Sequence, residues 1–166
     1  PGNTLSRDEL VAKALSLATA NQNDTILLYA ESNTAASTTD YQSATLTWNK
    51  DAVHLVGVCA PVAVSQRARI AQLSTATAVS PLVNVTANGC IFRNISIFQG
   101  VADATSLVCL QVTGSRNVFE NCHIAGIGHA TMVTAGAASL KINAGAENVF
   151  RSCTIGLDTI ARSQNT

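Results

Sequence analysis

Apolar residues along most of this chain come in short alternating runs, and three of those runs repeat one pattern. They are Ile91-Phe92-Arg93-Asn94-Ile95-Ser96-Ile97, Val118-Phe119-Glu120-Asn121-Cys122-His123-Ile124 and Val149-Phe150-Arg151-Ser152-Cys153-Thr154-Ile155. Aligned on their phenylalanines they lie 27 and then 31 residues apart. A period of this length is that of one supersecondary unit stacked on the next, so the pattern predicts a solenoid. A second strand accompanies each repeat: Leu82-Val83-Asn84-Val85, Val108-Cys109-Leu110-Gln111-Val112 and Leu140-Lys141-Ile142. Val83 and Val85 precede Phe92 by nine and seven residues, and Leu110 and Val112 precede Phe119 by the same offsets. Leu140 and Ile142 precede Phe150 by ten and eight, which places one extra residue in that turn.

The first residues follow a different period. Ser6-Arg7-Asp8-Glu9 reads as a capping box, with Ser6 as N-cap and Glu9 three residues on, and Leu10, Val11, Ala14, Leu15 and Ala18 follow at helical spacing. This predicts an amphipathic helix over 7–19. Asn21-Gln22-Asn23-Asp24 ends it, and Thr25-Ile26-Leu27-Leu28-Tyr29 reads as a buried strand. A polar loop is expected from Ser32 to Tyr41. Then come an alternating strand at Ala44-Thr45-Leu46-Thr47-Trp48, a turn at Asn49-Lys50-Asp51 and a strand at Val53-His54-Leu55-Val56-Gly57-Val58. Gly57 falls where Asn94 falls, so this last run is expected to be an early, irregular coil. The division that follows is an N-terminal segment, 1–24, with its capping helix, and a single domain of coils over 25–166.

Stacking assigns each column of side chains a task, because strands in successive coils lie about 4.8 Å apart and equal offsets become neighbours. The columns Phe92/Phe119/Phe150, Ile95/Cys122/Cys153, Ile97/Ile124/Ile155 and Val85/Val112/Ile142 are expected to point inward. Asn94, Asn121 and Ser152 fall between two inward positions, where the backbone must bend; Asn tolerates the left-handed conformation and its amide can bond along the stack. Arg93, Glu120 and Arg151 share an outward offset, and Arg116 and Glu147 share another, so both sets are read as ion ladders that fix register. Cys122 above Cys153 is read as a pair of small buried hydrophobes in preference to a disulfide or a metal pair.

Composition supports the same class. Hydrophobic residues make up 47% of the 166 residues, mean hydropathy is +0.24 and charged residues are only 12%. That is enough apolar surface for one core. Ten basic and ten acidic residues cancel, which argues against a nucleic-acid or anionic-membrane partner. No apolar run approaches the roughly 18–20 residues a bilayer span needs, and Pro1-Gly2-Asn3-Thr4 has no signal-peptide pattern. The five cysteines form no C-x-x-C pair and are odd in number, so they are read as reduced thiols made in a reducing cytoplasm.

With its capping helix, its strands at Asp24-Thr25-Ile26-Leu27-Leu28 and Ala44-Thr45-Leu46-Thr47-Trp48, and its F-x-N-C-x-I coils, the chain resembles the right-handed parallel β-helix of the pectate-lyase-like superfold. The resemblance covers nearly the whole chain and implies an all-β, single-stranded parallel β-helix with an N-terminal capping α-helix. That superfold serves pectate lyases, pectin methylesterases, polygalacturonases, bacteriophage tailspikes, other virion proteins and adhesins, so it does not choose a function.

Each of these chemistries demands its own set of residues. Sugar hydrolysis needs two carboxylates about the bond, and uronate lysis needs acidic calcium ligands with a base. The acids of the coils are Asp103, Glu120, Glu147 and Asp158; two have candidate Arg partners and the others occupy unlike places. His54, His123 and His129 share no offset, with His123 on an outward column beside Ser96 and Thr154. Ala125-Gly126-Ile127-Gly128-His129-Ala130 lacks the Lys-Ser/Thr ending of a phosphate loop and reads as a coil-to-coil turn. The sequons at Asn23, Asn84 and Asn94 are treated as chance matches. No catalytic, cofactor or metal residue is assigned.

The final stretch, Ile155 to Thr166, starts another coil without a polar or helical cap, which suggests continuation or cover by a partner. Together these features point to a structural β-helix of a virus particle, a bacteriophage capsid-decorating, fibre or spike protein assembled in the host cytoplasm. Its expected partners are the major capsid protein and further copies of itself, in a homo-oligomer such as a trimer. The alternatives are an extracellular polysaccharide-active enzyme or glycan-binding tailspike with its site outside these residues, and a bacterial surface adhesin.

Overall fold

The computed structural model describes residues 9–30 and 39–157. Among these residues one short α-helix, α1 (Leu10–Leu17), precedes fourteen strands that pair only in parallel. The chain is a parallel β-solenoid. Coil 1 holds β1 (Thr25–Tyr29), β2 (Thr39–Gln42) and β3 (Leu46–Trp48), and coil 2 holds β4 (His54–Val58), β5 (Arg69–Gln72) and β6 (Val83–Val85). Coil 3 holds β7 (Ile91–Arg93), β8 (Ser96–Phe98) and β9 (Val108–Val112), and coil 4 holds β10 (Val118–Glu120), β11 (His123–Ala125) and β12 (Ala138–Ile142). Coil 5 contributes β13 (Val149–Arg151) and β14 (Thr154–Ile155). Three sheets result: β1-β4-β7-β10-β13, then β2-β5-β8-β11-β14, then β3-β6-β9-β12. They are called here the first, second and third sheets.

Register follows the phenylalanine alignment. Phe92, Phe119 and Phe150 are direct partners, as are Ile97, Ile124 and Ile155, and Val85, Val112 and Ile142. The rings of Phe92 and Phe119 stack at 4.7 Å and those of Phe119 and Phe150 at 4.6 Å, while Trp48 meets Phe92 edge-on at 5.1 Å. Equal offsets on a 4.8 Å ladder force this near-parallel stacking. Every rung before the last is fully buried in each column. The last rungs are more open: Ile142 of coil 4 and Ile155 of coil 5 are about half exposed, and Phe150 and Cys153 of coil 5 are partly so.

Two backbone bends recur. Asn94, Asn121 and Ser152 take positive φ of 55°, 50° and 51°, turning the chain from the first sheet into the second. Asn121 Nδ2 donates to Asn94 Oδ1 (2.9 Å), and Asn94 Nδ2 donates to the carbonyls of Gly57 (3.0 Å) and Cys59 (2.9 Å). Gly57 does sit opposite Asn94, but β4 runs straight through it; a Cβ there would lie 2.0 Å from Asn94 O. The other bend, from the third sheet into the first, uses Ala52, Gly89, Arg116 and Glu147, all left-handed. Beside it Asn117 Oδ1 accepts from Cys90 N–H and Asn148 Oδ1 accepts from Asn117 N–H, so an asparagine ladder braces this corner too.

Several sequence expectations are corrected. Helix α1 covers Leu10–Leu17, so it ends two residues before the expected Thr19, and Arg7 and Asp8 lie outside the described residues. Glu9 is left-handed at its N-cap and turns its carboxylate to Ser43, while Leu10 N–H is capped by Asp40 Oδ1 (2.6 Å) from β2. Ser6 lies outside the described residues. Lys50 Nζ reaches the Ser16 and Ala18 carbonyls and closes the other end of the helix. Strand β1 is half exposed and not buried, because it forms the edge of the first sheet. Thr39–Tyr41, expected in a polar loop, belongs to β2, whose Thr39, Asp40 and Gln42 are buried. The turn at Ala125–Ala130 joins the second sheet to the third within coil 4 and does not pass between coils. Residues 158–166, and with them most of the expected further coil, lie outside the described residues.

Candidate functional site

The sequence pattern gives no hint of the segment that shapes the outer surface. Residues 59–68, between β4 and β5, leave coil 2 and run along the axis over the outer side of the second sheet. Cys59 O accepts from Asn94 in coil 3, Gln66 Nε2 donates to Asn121 O in coil 4 (2.7 Å), and Ala63 O accepts from Thr154 Oγ1 in coil 5 (2.9 Å). This strap ties coil 2 directly to coils 4 and 5, which are not its neighbours in the ladder.

His123 is the main anchor of the strap. Its Nδ1 accepts from Ser65 N–H (3.0 Å), so the proton sits on Nε2, which donates to Gly156 O (3.1 Å). The register Ser96, His123, Thr154 places it on the outward side of β11, yet it is only 2% exposed. Outward there means toward the strap and not toward water. The other two histidines are local braces: His54 Nδ1 accepts from Ile91 N–H (3.1 Å), and His129 Nδ1 accepts from Thr131 N–H (3.2 Å).

The first sheet keeps a bare outer face. Arg93, Glu120 and Arg151 are in register there, and Arg93 Nε lies 3.4 Å from Glu120 Oε2. Arg116 and Glu147 pair at 2.5 Å, while Glu120 is paired with Arg93 and Arg151 stands outside that pair. The hydrogen bond between Arg116 and Glu147 raises the arginine pKa and lowers that of the glutamate. Ile91, Val118 and Val149 form an apolar column beside these charges, with Ile91 and Val149 about 40% exposed.

Where the bare face meets the strap there is a groove of about 450 Å³. Its floor is the left-handed column Asn94, Asn121 and Ser152, its side the Arg93–Glu120 pair, and Pro61 of the strap forms the opposite wall. Such a groove presents amide, hydroxyl and charged groups together and can hydrogen-bond a hydroxyl-rich ligand. Among the described residues no group of three or more His, Cys, Asp or Glu side chains is placed to hold a metal ion. No helix among them is long and apolar enough to cross a membrane.

Inside the solenoid a second feature escaped the repeat. Gln42 pairs with Gln72, and Gln99 Nε2 donates to Gln72 Oε1 (3.0 Å), while Gln72 Nε2 donates to Ser106 Oγ (2.9 Å). Ser106 Oγ in turn donates to Asp103 Oδ2 (2.7 Å). Hydrogen bonds from Thr105 N–H, the Thr105 and Ser106 hydroxyls and Ala78 N–H hold the Asp103 carboxyl well below the usual carboxylate range. The spacing of Gln42, Gln72 and Gln99, thirty and then 27 residues, was the available signal.

A scan of protein-family models, a search of curated proteins and a search of solved structures each returned no match to this chain.

Proposed function

We propose that this chain is a structural β-helix protein of a virus particle, of the bacteriophage capsid-decorating, fibre or spike kind found in the pectate-lyase-like superfold. One observation carries the reading: the recurring side chains are engaged in stacking, while an apolar column remains on the bare face. Phe, Ile and Cys fill the interior, Asn and Ser hold the bends, and Ile91 and Val149 stay open to a neighbour. Repeated apolar edges of this kind suit assembly, since a solenoid gains stability from each added contact along its length. The partners on this reading are the major capsid protein and further copies of the chain. Five free thiols agree with assembly in a reducing cytoplasm.

A second reading rests on the groove beside Arg93, Asn121 and Ser152, whose polar lining favours a glycan-binding spike. One experiment separates the two. Native-length protein is sized by light scattering, tested for co-sedimentation with capsid shells, and incubated with bacterial surface polysaccharides. The structural reading expects an oligomer that co-sediments and leaves the polysaccharide at full length. A monomer that does not co-sediment and that binds or shortens the polysaccharide overturns it in favour of the second.

A further inference from the structure

Cys122 and Cys153 occupy the same position in coils 4 and 5. Glu120 pairs with Arg151 on one side and His123 with Thr154 on the other, and Thr154 N–H donates to Cys122 O. Register therefore sets the two cysteines one coil apart, about 4.8 Å between backbones. That spacing lies inside the Cα window of a disulfide, about 4.4–6.8 Å. Both follow a left-handed residue, Asn121 or Ser152, and sit between strands, where χ1 rotation breaks no ladder hydrogen bond. Each sulfur now points to carbonyls, Cys122 to Phe92 and Glu120 and Cys153 to Phe119 and Arg151, all at 3.4 Å.

We infer that Cys122 and Cys153 form a redox-convertible crosslink that, when oxidised, fixes coil 5 to coil 4. Three observations single this pair out. Cys90 and Cys109 are fully buried, and burial pushes both thiols up and out of reach of an oxidant. Cys59 is partly buried but sits over Asn94, with no cysteine at its register position. Cys153 is partly exposed, and the neighbouring Cys122 thiol lowers its pKa, while that of Cys122 is pushed up, so Cys153 is the member of the pair that ionises first.

The chemistry needs a small-molecule disulfide as oxidant. The Cys153 thiolate attacks one sulfur of that disulfide; its S–S bond breaks, one thiolate leaves, and a mixed disulfide stands on Cys153. The Cys122 thiol passes its proton to the departing thiolate and attacks Cys153 Sγ. The second small thiol leaves, so two protein thiols are oxidised and one disulfide is reduced to two thiols. Coil 5 is where such a bond has most to add, because its Phe150, Ile155 and Val149 are the least covered members of their columns.

The test uses the whole chain incubated with oxidised glutathione, followed by non-reducing peptide mapping and amide hydrogen exchange. Expected is loss of two hydrogens, a Cys122–Cys153 linked peptide, and exchange over 149–155 slowed about tenfold or more, reversed by a dithiol reductant. In Cys122→Ser the glutathione adduct on Cys153 persists. The inference is overturned if wild-type protein accumulates a lasting glutathione adduct on Cys153, if another pair links, or if the linked protein exchanges coil 5 at the reduced rate. The wild-type map decides the matter even where Cys122→Ser folds poorly.

Discussion

The first and second sheets have outer faces built from the same alternation, and they end in opposite environments. On the first, Ile91 and Val149 remain about 40% exposed, and Arg93 shares its charge with Glu120 across a solvated 3.4 Å gap. On the second, Ser96 and His123 are 2% exposed beneath the strap, with both ring nitrogens of His123 engaged. A period of two says which residues leave the core and nothing about what lies above them. Side chains of equal pattern thus differ several-fold in what they contribute. A polar group under cover must have its hydrogen bonds met inside the protein, whereas one in water has ready substitutes.

The largest effect should come from beneath the bare face. Phe119 is fully buried between two stacked rings, and Phe119→Ala is expected to cost about 3–5 kcal/mol in urea unfolding. A near-neutral result would mean that this wall is not a core wall. Next is His123→Ala, which strips partners from Ser65 N–H and Gly156 O and should cost about 1–3 kcal/mol, with faster proteolysis of the strap. If the variant matches wild type in both assays, the covered face is no more demanding than the bare one. Gln66→Ala removes one bond to Asn121 O and is expected to lower stability by about 1 kcal/mol, read from the same denaturant midpoint. Smallest is Glu120→Lys on the bare face. It sets a third cation between Arg93 and Arg151 and should cost less than about 1 kcal/mol at low salt, fading as salt rises. A salt-independent loss of several kcal/mol would show that the ladder is buried in the working assembly.

Most of the architecture was readable because the solenoid repeats itself. Phe92, Phe119 and Phe150 had to be neighbours once their offsets matched, and the extra residue before Phe150 is taken up in the turn following Ile142 without disturbing Arg116 opposite Glu147. Strands lined by polar residues were not readable. Asp40 and Gln42 are buried in β2 because the Asp40 carboxylate accepts from Leu10 N–H and from Gln42 Nε2, so apolar alternation does not reveal that strand. The strap was missed for a related reason: 59–68 has no period, and its bonds span up to 91 residues. Of the groove, the Arg93, Asn94, Glu120, Asn121 and Ser152 columns stood in the repeat, but the Pro61 wall did not.

Sequence alone determined the stacking period, the inward columns, the bends at Asn94, Asn121 and Ser152, and the pairing of Arg93 with Glu120 in register. Each of these is set by local pattern and a fixed spacing between strands. Tertiary structure alone decided which outward face is covered, which residue caps α1, and that His123 is an anchor and not a surface histidine. Those outcomes depend on chain segments far apart in sequence meeting in space, and no period along the chain encodes such a meeting.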